Sequence, residues 1–205
     1  MSAKIKSYNL TVTDFCNKKC FKCSQSVPEY KERSHRKLED IKRALDKLKE
    51  WGLLWSPRIS GGEPALHPEL IEICRYADKL FGENSSVRIY SNEKIKINWP
   101  DDLKNKIEII PQDHQNWNTV DFDWSGSHDN SEWCRYSVSN NNIDYPYIFK
   151  CNYAKGMFHT MPEKLVYGED YVRMDECSAP PKFSNKRGLC KHHNTEYPVE
   201  YREIN

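Results

Sequence analysis

The stretch IKSYNLTVTDFCNKKCFKC, residues 5–23, joins a strand-like segment to three closely spaced cysteines. Residues 5–13 are rich in β-branched and aromatic side chains, a composition that predicts a strand. Cys16, Cys20 and Cys23 follow at once, in the spacing Cys-x3-Cys-x2-Cys. We therefore expect the three thiols to lie on a loop at the C-terminal end of the strand. The sequence supplies no fourth cysteine nearby, so this loop offers three thiolate ligands and not four.

Helix and strand patterns alternate after this loop. Apolar residues recur at helical spacing over 35–52, and the segment 55–60 predicts a short strand that runs into Gly-Gly-Glu-Pro. A second helical stripe over 67–82 precedes a strand over 86–92, and a further apolar run covers 106–111. This order is typical of βα units around a parallel sheet, in which the loops at the carboxyl ends of the strands carry the chemistry. The sequence therefore predicts an α/β fold.

Composition limits the class of protein. A chain of 205 residues is long enough for one compact unit with an extension. Lys and Arg total 31 against 30 Asp and Glu, and the formal net charge of +1 does not indicate a surface that binds nucleic acid. No segment is apolar enough for a membrane span, and the N-terminus lacks the apolar region of a secretory signal. We expect a cytoplasmic protein, whose eight cysteines stay reduced and serve metal binding or catalysis.

The periodic pattern dissolves beyond about residue 115, where Asn, Asp, Ser and Pro dominate. This region holds half of the cysteines, namely Cys134, Cys151, Cys177 and Cys190. A region with few apolar runs and several thiols is a candidate for organisation by a metal. We therefore expect a core over residues 1–125 and a cysteine-rich extension over 126–205.

The triad of cysteines on the first loop has three interpretations. Structural zinc sites close with four ligands, whereas sites that perform chemistry keep one position open. Three thiolates also suit an iron–sulfur cubane in which one iron stays free for another ligand. The alternatives are a zinc site completed by a distant Cys or His, and plain solvent-exposed thiols.

A second motif lies on the same edge of the predicted sheet. The sequence ISGGEPALHPEL joins a strand to a helix through Gly61 and Gly62, where the backbone can approach a ligand without interference from Cβ atoms. The cysteine triad after the first strand and Gly-Gly-Glu-Pro after the second together resemble the radical S-adenosylmethionine (radical SAM) superfamily. The resemblance covers roughly residues 5 to 115 and implies a shortened, partial (β/α) barrel.

The resemblance also assigns cofactors. It implies that Cys16, Cys20 and Cys23 hold three irons of a [4Fe–4S] cluster, and that S-adenosylmethionine chelates the fourth iron. It implies further contacts to that cofactor from residues after the second and third strands: Ser60, Gly61, Gly62, Glu63, Ser91 and Asn92. The reaction that it implies is reductive cleavage to a 5′-deoxyadenosyl radical, which abstracts hydrogen from the substrate.

Substrate and partners follow from the same resemblance. Relatives with a cysteine-rich extension of the SPASM or Twitch type favour a peptide or small-molecule substrate, with an external electron donor such as flavodoxin or ferredoxin. An activating enzyme for a glycyl-radical partner is the alternative among enzymes, and a zinc-stabilised binding module is the non-catalytic one.

The four later cysteines match the number of ligands that close a second cubane. Zinc held by Cys190 with His192 or His193, and thiols without a metal, are the other interpretations of these cysteines.

Overall fold

The structure is a computed structural model that describes residues 7–20, 23, 25, 27–93, 95–112, 140–149, 152–160, 162, 165, 167–168, 171–181 and 183. Within these residues, seven strands form one sheet: β1 (Ser7–Thr13), β2 (Arg58–Gly61), β3 (Val87–Ser91), β4 (Ile107–Pro111), β5 (Asn140–Asp144), β6 (Tyr147–Phe149) and β7 (Tyr171–Arg173). The described helices are α1 (Leu38–Glu50), α2 (Leu70–Phe81) and α3 (Asn152–Thr160). Short 3₁₀ helices cover Val27–Glu29 and Pro64–Leu66.

The sheet has the strand order β4-β3-β2-β1-β5-β6-β7, which places β1 at its centre. Strands β1 to β5 run parallel, and β6 and β7 are antiparallel to their neighbours. Leu10 of β1 lies opposite Ile59 of β2 on one side and Ile143 of β5 on the other. The loops that follow β1, β2, β3 and β5 therefore leave the sheet at the same edge.

The two faces of β1 differ in chemistry because side chains alternate along a strand. Tyr8, Leu10 and Val12 join an apolar core with the inward stripes of α1 and α2, among which Leu45 and Phe81 are completely buried. Asn9, Thr11 and Thr13 alternate with these apolar residues and are buried as well. Their polar face continues into β5, where Thr11 Oγ1 donates to Asn142 Oδ1 at 3.0 Å. The centre of the sheet thus carries a buried polar surface that ends at the carboxyl edge of β1 and β5, which we call the functional edge because both sequence motifs follow strands there.

The predicted α/β class is confirmed, and β1 to β4, α1 and α2 lie where the sequence pattern places them. The expectation of irregular structure after residue 115 is wrong for residues 140–149, which form β5 and β6 in the same sheet. The sheet is therefore mixed and not wholly parallel. The expected boundary between residues 125 and 126 lies outside the described residues. None of the described helices is long and apolar enough to cross a membrane.

Candidate cofactor site at the carboxyl edge of the sheet

The three cysteines of the first motif lie on the segment that follows β1, as predicted. Cys16, Cys20 and Cys23 are all free and half-buried. Burial raises the pKa of the Cys16 and Cys20 thiols, and the negative charge of Cys23 raises both further. Both thiols are therefore protonated near neutral pH in the metal-free protein, and a metal group that binds them must displace these protons.

The arrangement of the three sulfurs can be compared with the geometry of a site for one metal ion. Thiolates around one zinc ion bind at about 2.3 Å and are consequently about 4 Å apart. Among the described residues, the cysteines do not form a group whose ligand atoms all lie within 4.8 Å of one another. The three half-buried thiols are thus near one another without the compact arrangement of a single-ion site, and three thiolates are the number that a [4Fe–4S] cluster with one open iron uses.

The Gly-Gly-Glu-Pro loop packs directly on the beginning of the cysteine loop. The N–H of Gly62 donates to the carbonyl of Thr13 at 2.8 Å, and the N–H of Glu63 donates to the carbonyl of Phe15 at 2.7 Å. A Cβ atom on Gly61 would lie 2.3 Å from Thr13 O, and one on Gly62 would lie 2.2 Å from Phe15 O. Gly61 also has a φ of 136°, a conformation that L side chains rarely adopt. The sequence predicts a close backbone approach at Gly61 and Gly62. In the structure, the cysteine loop itself makes this approach.

Glu63 connects β2 to β3. Its side chain is completely buried. It accepts hydrogen bonds from Ala65 N at 3.0 Å, Ser91 Oγ at 2.9 Å and Asn92 N at 2.7 Å. Three residues that the sequence marks for cofactor binding, Glu63, Ser91 and Asn92, therefore contact one another. A carboxylate with this many donors organises the loops around the site, since its oxygens are already bonded within the protein.

Two further contacts complete this part of the edge. Asn92 Nδ2 donates to Asn17 Oδ1 at 2.7 Å and so connects the end of β3 to the cysteine loop. Ser60 is buried, and its Oγ lies 3.5 Å from the carbonyl of Leu10, so it faces the backbone of β1. All six residues predicted to bind the cofactor lie at this edge, within or next to the loops that hold the three thiols.

A buried ionic cluster, which the sequence reasoning missed, lies on the other side of the cysteine loop. We define the rim cluster as Asp14, Arg36, Asp144, Lys155 and His159. Arg36 Nη1 donates to Asp14 at 2.6 Å, while Nη2 and Nε of Arg36 donate to the two oxygens of Asp144. His159 Nε2 lies 3.1 Å from Asp144 Oδ2. Asp14 could have been noticed as a carboxylate directly after the central strand, whereas the later members lie where the sequence has no periodic pattern.

The pKa values of Asp144 and Lys155 in the rim cluster are both lowered, which favours the charged form of Asp144 and disfavours that of Lys155. Burial by itself would raise the pKa of Asp144, but hydrogen bonds from Arg36 and His159 lower it below its ordinary value. Burial lowers the pKa of Lys155, while the nearby negative charges of Asp144 and Asp14 oppose that shift. Asp14, Asp144 and His159 each offer a ligand atom within 4.8 Å of the others. Arg36 and Lys155 already supply positive charge there, so the cluster is not suited to a metal cation.

Of the four later cysteines, only Cys177 falls within the described residues. It follows β7, is half-buried, and its Sγ lies 3.3 Å from the carbonyl of Arg173. Among the described residues, Cys177 belongs to no group of three metal-type ligands. Cys134, Cys151 and Cys190 lie outside the part of the chain that the structure describes, as do His192 and His193.

Comparison with known proteins agrees with this geometry. Residues 10–111, which run from within β1 to the end of β4 and contain both motifs, match the family described as the radical SAM superfamily. Over 76 residues the chain is 37% identical to a probable GTP 3′,8-cyclase from Methanococcus maripaludis, a match that covers 36% of this chain and 24% of that protein. The chain thus matches about a quarter of that relative's length.

Solved structures show the same fold. The crystal structure of BtrN in complex with AdoMet and 2-DOIA is similar with a TM-score of 0.52 and 16% identity, covering 80% of this chain and 81% of that one. The open conformation of selenomethionine BtrN gives a TM-score of 0.50 and 16% identity, covering 86% of this chain and 78% of that one. Because residues 10–111 match the family model, the chain belongs to the radical SAM superfamily, whose members are enzymes that use a [4Fe–4S] cluster and S-adenosylmethionine.

Proposed function

We propose that this protein binds a [4Fe–4S] cluster through Cys16, Cys20 and Cys23 and cleaves S-adenosylmethionine reductively. When bound, the two cofactors supply a one-electron cleavage whose product, a 5′-deoxyadenosyl radical, takes a hydrogen atom from the substrate. The observation that carries this proposal is the packing of Gly-Gly-Glu-Pro on a loop with three half-buried thiols.

The chain's own residues hold and shape the site. The three thiolates bind the cluster and leave one iron for a further ligand. Glu63 fixes the ends of β2 and β3 relative to each other through Ser91 and Asn92. We assign the cofactor's polar contacts to this edge, with the residues Ser60, Gly61, Gly62, Glu63, Ser91 and Asn92.

For the substrate, we propose a peptide or a small molecule, with the small molecule preferred. The relative from Methanococcus maripaludis is named for a reaction of GTP, which is a small molecule. The reaction needs one electron from a donor such as flavodoxin or ferredoxin. A reducing compartment such as the cytoplasm would keep the thiols available as ligands.

The proposal includes a second [4Fe–4S] cluster in the region 126–205, held by Cys134, Cys151, Cys177 and Cys190. Four protein ligands would leave that cluster without an open iron. It would therefore conduct electrons or stabilise the fold, and it would not bind S-adenosylmethionine.

The first prediction concerns the iron content of the protein and the release of 5′-deoxyadenosine. Protein reconstituted without oxygen should contain iron and sulfide, and with dithionite and S-adenosylmethionine it should release 5′-deoxyadenosine. Replacing Cys16, Cys20 and Cys23 together by Ala should remove about four irons per chain and abolish the product. Iron analysis and chromatography of the reaction mixture measure both effects.

Cys74→Ala is the matched control, because Cys74 lies on the inward face of α2 and is completely buried in the apolar core. This variant should keep its iron and its product formation. Iron that remains in the triad variant would belong to the later cysteines, and its loss on a further Cys177→Ala change would support the second cluster. Zinc in place of iron in the wild-type protein would contradict the proposed function.

A further inference from the structure

Lys155, on α3, is completely buried and reaches back to the cysteine loop. Its Nζ donates to Gln25 Oε1 at 3.1 Å, and Gln25 lies two residues after Cys23. The backbone of Gln25 is held as well, because Tyr30 Oη donates to its carbonyl at 2.7 Å. Gln25 is thus held at both its side chain and its main chain, and one of its two partners is a buried ammonium group.

Two carboxylates of the rim cluster also face this ammonium. Asp14 Oδ1 and Asp144 Oδ2 lie 3.6 and 3.9 Å from Nζ, which is ion-pair distance but too far for hydrogen bonds. Arg36 donates to Asp14 Oδ2 and to both oxygens of Asp144, whereas Asp14 Oδ1 is buried without a hydrogen bond from any described residue. The ring of Tyr30 lies 5.4 Å from Nζ, a cation–π distance. The Lys155 ammonium therefore pairs ionically with the two carboxylates and donates a hydrogen bond to Gln25.

We propose that Lys155 is a positioning residue for the iron–sulfur cluster, and this inference rests on the proposed function. It holds Gln25 and thereby the position of Cys23, and its ammonium, paired with Asp14 and Asp144, lies close to the loop that carries the third ligand. Because Lys155 belongs to α3, its hydrogen bond to Gln25 connects the part of the chain after residue 140 to the cysteine loop.

Two measurable properties follow from this position. Residues that orient metal ligands contribute about 10-fold or more to metal affinity. A nearby positive charge also stabilises the reduced state of a cluster, which carries one more negative charge than the oxidised state. Loss of the ammonium should therefore weaken retention of iron and lower the reduction potential.

The test uses Lys155→Met, which keeps the length of the side chain and removes its charge. In protein reconstituted without oxygen, iron release to a chelator should become about 10-fold faster. The midpoint potential of the cluster, followed by electron paramagnetic resonance, should shift to a more negative value. Lys104→Met is the control, because Lys104 is an exposed lysine that pairs with Asp101 far from the site; it should change neither quantity.

Gln25 provides a second test that leaves the buried charges in place. Gln25→Leu removes the acceptor of the Lys155 hydrogen bond and should speed up iron release, whereas Gln25→Glu keeps an acceptor and should release iron at the wild-type rate, while its added negative charge lowers the midpoint potential. If Lys155→Met does not fold, the rate of iron release from Gln25→Leu tests the proposal by itself. Variants that fold, load iron and match the wild-type protein in iron release and potential would overturn the role of Lys155. Wild-type protein without iron would instead contradict the cluster assignment itself.

Discussion

At the scale of single residues, Gly62 shows how the two motifs depend on each other. The missing side chain leaves room for the carbonyl of Phe15, which would lie 2.2 Å from a Cβ atom at this position. The adjacent N–H groups of Gly62 and Glu63 hold the cysteine loop by hydrogen bonds. The glycine therefore shapes the loop that carries the thiols, in addition to any contact with S-adenosylmethionine.

We predict that Gly62→Ala damages cluster binding as well as cofactor cleavage. The added methyl group must push the two loops apart, at a cost of about 1–3 kcal/mol. Reconstituted Gly62→Ala protein should hold less iron than the wild-type protein, as iron analysis will show. Gly168→Ala is the control, because Gly168 has a positive φ but open space around it; it should keep its iron. Full iron content in Gly62→Ala would mean that the loops tolerate the methyl group.

At the scale of elements, Arg36 joins β1, β5 and the segment before α1. The carbonyl of Val12 accepts from Arg36 N at 2.8 Å, so this segment lies along the end of β1. The guanidinium then reaches both Asp14 and Asp144. Because buried charges need partners, this arrangement fixes the end of β5 at the functional edge.

We predict that Asp144→Asn lowers the free energy of unfolding by about 3 kcal/mol at neutral pH, since it leaves the Arg36 charge with one partner fewer. The pKa of Asp144 is lowered in the folded protein, so its contribution is complete above the unfolded-state pKa of about 3.9 and is lost as pH falls below that value. Urea unfolding of the metal-free proteins should show a constant difference from about pH 5 to about pH 8 and a smaller one below about pH 4.

Asp102→Asn is the matched control for this substitution, because Asp102 pairs with Arg75 at the surface. Exposed ion pairs contribute little to stability, so this variant should unfold like the wild-type protein. Equal unfolding of Asp144→Asn and the wild-type protein at neutral pH would show that the Arg36–Asp144 pair does not fix β5.

At the scale of the whole molecule, local sequence patterns predicted one side of the sheet and missed the other. β1 to β4 carry apolar alternation, and both motifs of the site have fixed local spacings. Residues 140–142 are three asparagines, a residue type that strands disfavour. They form β5 because the polar face of β1 supplies partners such as Thr11 for Asn142. The sequence patterns also did not predict the rim cluster, because residues such as Asp14 and Lys155 come together only in the folded chain.

This topology leads to a prediction about the proposed division at residue 125. A fragment of residues 1–125 lacks β5, β6 and β7, so the central strand β1 becomes an edge strand with unpaired backbone groups. It also lacks Ile143, Ile148 and Met174, which are completely buried in the main core. The fragment should therefore show no cooperative unfolding transition in urea and should not retain iron after reconstitution, although it contains the whole cysteine triad.

The matched control is a fragment of residues 1–183, which keeps every described strand and helix. It should unfold cooperatively and hold the iron of the cysteine triad, because β5 covers β1 and α3 delivers Lys155 to the cysteine loop. A cooperative, iron-binding fragment of residues 1–125 would establish that segment as an independent domain. The absence of that behaviour would mean that the site at the sheet edge exists only when β5 has paired with β1, so that folding of the later part of the chain is a condition for assembly of the cluster.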